Sequence, residues 1–249
     1  ILSSTVVAED TVKMVLKNDD VSQVAKPGQF LHISVGHYTL RRPISIATVN
    51  REQGTVTIIF KIFGEGTKHL ATYQPGMILD AIGPNGNGFN VDVTPGSTIL
   101  LIGGGVGVPP LHFLGQTLAE KQVKIISILG FQHEKSVFYE QAFKEFSQET
   151  YIVTNDGSYG KAGFVTDVLD EIQSFDVYYA CGPLPMLQAV TKRLANYQGY
   201  ISLEERMGCG VGACYACVIP TDESSGYKKS VKMDLFSMLR RSYYDDIIH

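Results

Sequence analysis

The stretch from Ser97 to Pro110 constrains the fold of this chain more than any other. A continuous apolar run, Ser97-Thr-Ile-Leu-Leu-Ile102, is followed by Gly103-Gly-Gly-Val-Gly-Val-Pro-Pro110 and a helical pattern that continues to Glu120. An apolar run without alternation is typical of a strand buried on both faces in a parallel sheet. A strand that passes through glycines into a helix is also a candidate phosphate site, although the G-x-G-x-x-G order of a dinucleotide fingerprint is absent.

Strand and helix signals keep alternating after this turn. The apolar patterns predict strands at Val123–Leu129, Tyr151–Thr154 and Asp176–Ala180, and helices at Val137–Ser147, Val165–Ile172 and from Pro185 to about Tyr197. Such alternation predicts a parallel sheet with helices on both faces. Residues 93–198 are therefore interpreted as a nucleotide-binding α/β domain.

The first part of the chain has a different rhythm. Turn residues near Asn18, Pro27, Gly54 and Pro75 separate short runs that predict strands at Val12–Leu16, Phe30–Val35, Thr55–Phe63 and Met77–Ile82. This spacing favours a small antiparallel barrel over residues 1–92.

Two short stretches of this barrel carry chemistry. Arg41-Arg-Pro-Ile-Ser-Ile46 places a guanidinium and a hydroxyl on an apolar strand, where they could hold a phosphate or a flavin carbonyl. Phe63-Gly-Glu-Gly-Thr-Lys-His-Leu70 is a glycine turn that opens a short helix, which suits a pyrophosphate. Each motif alone is also typical of an ordinary strand end or turn.

Three of the four cysteines lie close together in the third region, residues 199–249. Cys209, Cys214 and Cys217 have the spacing C-x4-C-x2-C, by which plant-type ferredoxins hold most of a [2Fe-2S] cluster. Interleaved glycines leave backbone N–H groups free to face the sulfurs. A structural zinc site is the alternative, although such sites usually show two separate cysteine pairs.

Taken in order, these motifs resemble the ferredoxin–NADP reductase superfamily. The shared marks are the flavin motif, Arg42-Pro-Ile-Ser45, the glycine turn at Gly66-Thr67, the Gly103–Pro110 loop and Cys181-Gly-Pro183. With Cys209-x4-Cys214-Tyr-Ala-Cys217 at the end, the layout resembles the electron-transfer subunits of class 1B dihydroorotate dehydrogenases, over nearly the whole chain to about Pro220.

The resemblance implies bound FAD, a [2Fe-2S] cluster held by the three clustered cysteines, and NAD as co-substrate. It implies electron transfer between NAD and an FMN-containing catalytic subunit, with two of each chain, in pyrimidine biosynthesis. It implies a catalytic role for Cys181 beside the nicotinamide. The implied cofactor-binding residues are Arg42, Pro43, Ile44, Ser45, Ile59, Phe60, Lys61, Gly66, Thr67, Gly103, Gly104, Gly105, Gly107, Pro109, Asp156, Cys181, Gly182 and Pro183.

The tail departs from this family. Relatives supply a fourth cysteine in an ending of the type Val-Cys-x-Asp-Gly-Pro-Val-Phe, whereas this chain reads Tyr227-Lys-Lys-Ser-Val-Lys-Met-Asp-Leu-Phe236. Val231, Leu235, Met238 and Leu239 instead form a helical apolar stripe. The departure is either natural divergence or an altered reading frame. We expect a labile or absent cluster and a rearranged loop after Gly208.

Composition excludes several other classes. The net charge is −4 and basic residues do not cluster, so nucleic acid is not an expected partner. Apolar runs are too short for a membrane span, and clustered cysteines suit a reducing, cytoplasmic setting. Two alternatives stay open: a freestanding flavin reductase, and a binding subunit without an electron path. The preference for NADH over NADPH rests on the resemblance alone, since Lys135 could contact a 2′-phosphate.

Overall fold

A computed structural model describes residues 1–203, 207–220 and 226–232. Its N-terminal part confirms the antiparallel barrel as a six-stranded sheet in the order β1-β2-β5-β4-β3-β6. The elements are β1 (Ser3–Ala8), β2 (Thr11–Lys17), α1 (Asp19–Val24), β3 (Phe30–Ile33), β4 (Arg42–Asn50), β5 (Thr55–Lys61), α2 (Glu65–Leu70) and β6 (Ala81–Asn85).

Alternation along the strands fills the barrel. Met14, Ile33, Ile46, Ile58 and Phe60 are each almost completely buried and pack together inside it. Because successive strand residues point to opposite faces, their neighbours line the outside.

Local predictions in the barrel are partly wrong. The predicted turn at Asn18–Asp20 is a helix start, because the Asn18 side chain accepts a hydrogen bond from the N–H of Val21 at 2.9 Å. The strand predicted at Met77–Ile82 begins only at Ala81, since Met77 lies in the turn that follows Gly76 and both Met77 and Ile78 are exposed.

The following residues form the predicted parallel sheet, in the order β10-β9-β8-β7-β11-β12. Helices cover both faces, and two apolar cores lie between helices and sheet. The elements are β7 (Thr98–Gly104), α3 (Val108–Ala119), β8 (Lys124–Phe131), α4 (Glu140–Lys144), β9 (Glu149–Thr154), β10 (Lys161–Ala162), α5 (Val165–Val168), β11 (Val177–Cys181), α6 (Leu184–Arg193) and β12 (Gln198–Ser202).

Several elements of this sheet and its helices differ from the predicted ones. The helix expected over 137–147 is shortened to α4, because Tyr139 has a left-handed backbone (φ 64°) and serves as its N-cap. The helix expected over 165–172 tightens into a 3-10 turn at Leu169–Glu171. The strand β12 was not predicted, and it pairs in parallel with β11.

Helix α3 joins the two domains. Phe113 reaches into the apolar core of the barrel. The ring of His112 contacts the backbone carbonyl of Ala47 at 3.2 Å through Nδ1, and the hydroxyl of Thr48 donates to the side chain of Gln116 at 2.6 Å. Helix α3 therefore contributes side chains both to the core of the barrel and to a core of the parallel sheet.

The cysteine region ends in a short hairpin. Strands β13 (Val218–Pro220) and β14 (Tyr227–Lys229) pair antiparallel and lead into a 3-10 turn at Ser230–Lys232. Of the predicted apolar stripe, only Val231 lies among the described residues; Leu235, Met238 and Leu239 lie outside them. Within the described ranges, no helix combines the length and apolar character that a membrane crossing requires.

Candidate functional site

Arg42 and Gly66 meet on the surface of the barrel. The guanidinium of Arg42 lies so close to Gly66 that a Cβ atom there would stand 2.3 Å from Nε. The same guanidinium stacks over the ring of Tyr38 at 5.4 Å and donates to the carbonyl of Leu40. The structure thus brings together the two stretches that the sequence singled out, with a fixed positive charge between them.

The hydroxyl of Thr67 shapes the neighbouring turn. It accepts a hydrogen bond from the N–H of Phe63 at 2.7 Å and donates to the carbonyl of Gly64 at 3.2 Å. Gly64 has a φ of 99°, which side-chain-bearing residues rarely adopt. Thr67 therefore holds the backbone of the turn in place through its hydroxyl group.

The other predicted flavin-binding residues divide between the two faces of their strands. Ile44 and Phe60 point into the barrel core, and Ile59 packs in the core between the barrel and the parallel sheet. Pro43 and Ser45 lie across from His32 and Phe30 of β3, and Lys61 ends β5 with partial exposure. Of all the residues of β4 and β5 that were predicted to bind flavin, four keep side-chain surface that a ligand outside the barrel could contact: Arg42, Pro43, Ser45 and Lys61.

The glycines from 103 to 107 let two backbones approach each other. A Cβ on Gly107 would stand 2.1 Å from the carbonyl oxygen of Cys181, so this position accepts only glycine. Gly103 and Gly104 pack in the same way on Val108 and on the sulfur of Met186. Gly105 differs, because its φ is 52° and open space surrounds the position of its missing side chain. The loop therefore packs inward at Gly103, Gly104 and Gly107, whereas the surface at Gly105 is open.

Cys181 ends β11 beside this loop. It pairs with Gly103 in the sheet and is 2% exposed, while Gly182 and Pro183 continue along the same edge into α6, and Pro109 sits in the first turn of α3. These elements adjoin at the carboxyl edge of the parallel sheet, where open α/β sheets bind ligands.

Asp156 lies at the same edge but further along. Its carboxylate accepts hydrogen bonds from the hydroxyl of Ser158 at 2.6 Å and from the N–H of Ser158 at 3.0 Å, which lower its pKa. The Ser158 hydroxyl in turn accepts from the N–H of Glu134 at 2.8 Å. Asp156 thus fixes the loop after β9 against the loop after β8.

The cysteine loop, residues 207–217, wraps its backbone around one sulfur. The N–H of Cys214 donates to Sγ of Cys209 at 3.3 Å. This bond and a second from the N–H of Val211 lower the pKa of the Cys209 thiol to about 6. Amides directed at a thiolate are a feature of iron–sulfur sites, so this half of the loop fits such a cluster.

The other ligands are less gathered. The sulfur of Cys214 lies beside Gly208, whereas Cys217 is buried in a small apolar cluster with Phe30 and Val231. Across the described ranges, no group of three His, Cys, Asp or Glu side chains is arranged to hold a metal ion. The donor set fits an iron–sulfur cluster in kind but is incomplete.

The part played by β3 was not predicted from the sequence. Leu31 and Ile33 face the barrel interior, while Phe30 and His32 face outwards and are covered by the cysteine region. His32 is 1% exposed and lies against Gly210. The signal was present in the run Phe-Leu-His-Ile, which lacks the exposed polar alternation of a strand with one wet face.

Family models match both the cysteine region and the region of the parallel sheet. The iron–sulfur cluster binding domain of dihydroorotate dehydrogenase B matches residues 204–232, and the oxidoreductase NAD-binding domain matches residues 101–192. The electron transfer subunit of dihydroorotate dehydrogenase B (NAD(+)) from Bacillus caldolyticus is 48% identical over 92% of this chain and 91% of its own length. Its counterpart from Bacillus velezensis is 49% identical over 93% and 92%.

Solved structures extend the likeness. The NADH-dependent reduced ferredoxin-NADP oxidoreductase superposes with a TM-score of 0.83 at 29% identity, covering 94% of this chain and 85% of that one. A ferredoxin NADP+ reductase from Neisseria gonorrhoeae with bound FAD and NADP gives 0.66 at 14% identity, covering 81% and 95%. The second supports the fold alone.

Proposed function

Because this chain belongs to the family of electron transfer subunits of dihydroorotate dehydrogenase B, we propose that it carries electrons between NAD and a separate catalytic subunit in pyrimidine biosynthesis. One observation supports this most directly. The flavin motif on β4 and the seat of the cysteine loop on β3 are paired strands, with Pro43 across from His32 and Ser45 across from Phe30. A two-electron site and a one-electron site would thus share one continuous face of the barrel.

The barrel supplies the grip for FAD. Arg42 offers a guanidinium that is already oriented by Tyr38 and Leu40, and such a group binds phosphate by charge-assisted hydrogen bonds. Thr67 and Gly66 keep the adjoining turn close to it. FAD, once bound there, supplies the conversion between hydride transfer and single-electron transfer.

The carboxyl edge of the parallel sheet supplies the dinucleotide site. The open space above Gly105 admits the dinucleotide backbone, and the close packing of Gly107 on Cys181 fixes the loop beneath it. Cys181 is buried, so its role is to form the wall behind the nicotinamide. Asp156 holds the neighbouring loop in place through Ser158.

Cys209, Cys214 and Cys217 would hold a [2Fe-2S] cluster, and the position of Val231 is the best place for the absent fourth ligand. Val231 is buried against Cys217 and Phe30 in one cluster. The backbone N–H of the preceding Ser230 donates to the carbonyl of Cys217 at 2.7 Å. A thiol at position 231 would therefore enter the cysteine region beside an existing ligand.

We infer that a shift of the reading frame accounts for the missing thiol. The residues from Val231 to Phe236 read Val-Lys-Met-Asp-Leu-Phe. When the same codons are read one nucleotide earlier, Met-Asp (ATG GAY) must give the glycine codon GGA, and the others permit Cys-Lys-Asp-Gly-Pro-Val-Phe. This is the ending that the family resemblance implies. Loss of one adenine in the run of lysine codons before Ser230 would produce the shift and would put valine where cysteine belongs.

The exposed surface around the cysteine loop would face the catalytic subunit. Val211 and Tyr215 are large apolar side chains on the loop that are 49% and 64% exposed. Apolar and aromatic side chains of this kind are typical of interface centres. We infer an FMN-containing partner that meets this loop, two copies of each chain, and a cytoplasmic location, which suits clustered reduced cysteines.

The test is an anaerobic assay in two stages. NADH should bleach the flavin of the isolated chain, with or without a cluster. In the variant Val231→Cys, reconstituted with iron and sulfide, dihydroorotate should reduce NAD+ only after the catalytic subunit of the Bacillus caldolyticus enzyme is added. Gly105→Val should abolish the first reaction by filling the open space, while Gly96→Val, at a turn with equally open surroundings, should not. Rapid bleaching in the Gly105 variant would contradict the assigned dinucleotide site.

A further inference from the structure

His32 is buried without the hydrogen bonds that a histidine needs. It is 1% exposed, and neither Nδ1 nor Nε2 makes a hydrogen bond of ideal geometry among the described residues, although the backbone of Cys209 lies within interaction range of the ring. Buried polar side-chain atoms are rarely left unpaired, because an unpaired group loses its hydration without compensation. A nitrogen-bearing ring at this position therefore needs a reason.

The cysteine loop lies directly on the ring. Gly210 approaches so closely that a Cβ atom would stand 2.4 Å from Nδ1 of His32, and its φ of 69° also favours glycine. Gly210 follows the cluster ligand Cys209 immediately in the chain. The orphaned nitrogen is therefore directed at the backbone that carries a cysteine ligand.

The other side of His32 is fixed. Arg41 donates to the backbone carbonyl of His32 at 3.3 Å, and both of its terminal nitrogens bind the carboxylate of Asp80 at 3.0 and 2.9 Å. Across the sheet His32 pairs with Pro43 of the flavin motif. The ring thus stands on a rigid strand between the flavin motif and the loop.

We propose that His32 is a positioning residue for the cysteine loop, donating a ring N–H to the Cys209 backbone and so orienting the Cys209 thiolate toward an iron–sulfur cluster. This inference rests on the proposed function for its purpose, while the contact itself belongs to the protein alone. The N–H dipole would also favour the reduced, more negative cluster, since hydrogen bonding near the sulfurs sets cluster potentials.

Three variants separate hydrogen bonding from packing. His32→Leu removes both nitrogens, whereas His32→Asn keeps an N–H near the position of Nδ1. His112→Leu is the matched control, because it removes another buried histidine that lies far along the sequence in the domain contact. All three are made in the full chain, both as written and with Val231→Cys.

The first measurement needs no cluster. In hydrogen-exchange mass spectrometry of the metal-free chain, His32→Leu should speed exchange in peptides from 207 to 217 about tenfold, the loss of one hydrogen bond. His32→Asn should restore slow exchange, and His112→Leu should leave these peptides unchanged. Equal exchange in wild type and His32→Leu would overturn the proposal whether or not the protein functions in electron transfer.

The second measurement is a redox titration of the chain carrying Val231→Cys after reconstitution with iron and sulfide. His32→Leu should shift the reduction equilibrium about tenfold toward the oxidised cluster, equal to about 59 mV for one electron. His32→Asn should recover most of that shift. An electron-spin-resonance signal of the histidine-ligated type, lost in His32→Leu, would make His32 a ligand and would also overturn the proposal.

Discussion

The body of the molecule, residues 1–203, and the cysteine region that follows it are held in place by different means. Three extensive apolar cores and two six-stranded sheets hold the body. The described part of the cysteine region has one small cluster, Phe30, Cys217, Val231 and Met207, and a hairpin of two short strands. The body folds by burying its own side chains, whereas the cysteine region buries few of its own and, under the proposed function, would be organised around a cluster.

The largest expected effect concerns that cluster. The chain as written should bind little iron, because it offers three thiolates, and Val231→Cys should raise the content to about two irons per chain. Iron and acid-labile sulfide analysis of anaerobically purified protein measures this. Ser230→Cys is the control for position, and DNA sequencing of the region checks the reading frame. A full complement of iron in the unmodified chain would contradict our interpretation of the tail.

The body should respond to acid through His112. Burial lowers the pKa of this histidine to about 4, from 6.5 when unfolded. Below pH 6.5 the unfolded chain therefore binds a proton at His112 that the folded chain does not bind. The contribution of this group to the free energy of unfolding is fully present above pH 6.5 and is lost as the pH drops toward 4. Between pH 7.5 and 4.5 the loss from this group should be about 2 to 3 kcal/mol.

Urea unfolding at the two pH values checks this, followed by circular dichroism of the metal-free protein. His112→Leu should remove most of the pH dependence attributed to this site, whatever it does to the stability at pH 7.5. If the variant keeps the full acid loss, the sensitive group lies elsewhere in the body.

Loss of the flavin should follow Arg42→Ala. Removing a hydrogen bond to a charged group costs about 1.5–3 kcal/mol, so FAD affinity should fall roughly ten- to a hundred-fold. Flavin retained after gel filtration, and its fluorescence on titration, measure the change. Arg41→Ala is the matched control, since its guanidinium is committed to Asp80. Equal losses in both variants would argue against a specific phosphate contact.

The smallest effect compares like contacts in the two regions. Lys229 lies 4.2 Å from the ring centre of Tyr215 and donates to the carbonyl of Gly212 at 2.9 Å, whereas Lys161 lies 4.8 Å from the ring centre of Tyr151 in the body. Lys229→Ala should weaken the protection of the cysteine loop by about 1 kcal/mol. Lys161→Ala should not change loop protease sensitivity, which is the measurement.

The same division governs what the sequence could reveal. Periodicity predicted the barrel and the parallel sheet because the side chains that each region buries form an apolar pattern within that region's own sequence. It missed α1, which depends on one cap at Asn18, and it overextended the helix before Ser147, which a single left-handed residue at Tyr139 delays.

Candidate site residues could be predicted only where a short local motif contains them. Arg42 and Gly66, and Cys181 and Gly107, stood out as separate stretches, and the fold brought each pair together. The run Phe-Leu-His-Ile indicates a strand covered on both faces, but the importance of His32 comes from its contact with Gly210, far away in the chain, which no local pattern predicts. Contacts between the body and the cysteine loop join residues far apart in the chain, so local sequence patterns do not predict them.

The helix α3 has a consequence for engineering. Its residue Phe113 completes the barrel core, and His112 and Gln116 hold β4, although the helix belongs by topology to the other domain. A chimera cut between β6 and β7 would leave a hole in one half and an exposed phenylalanine on the other. A workable exchange would transplant the barrel together with the barrel-facing side chains of α3, so the functional module is larger than the domain boundary suggests.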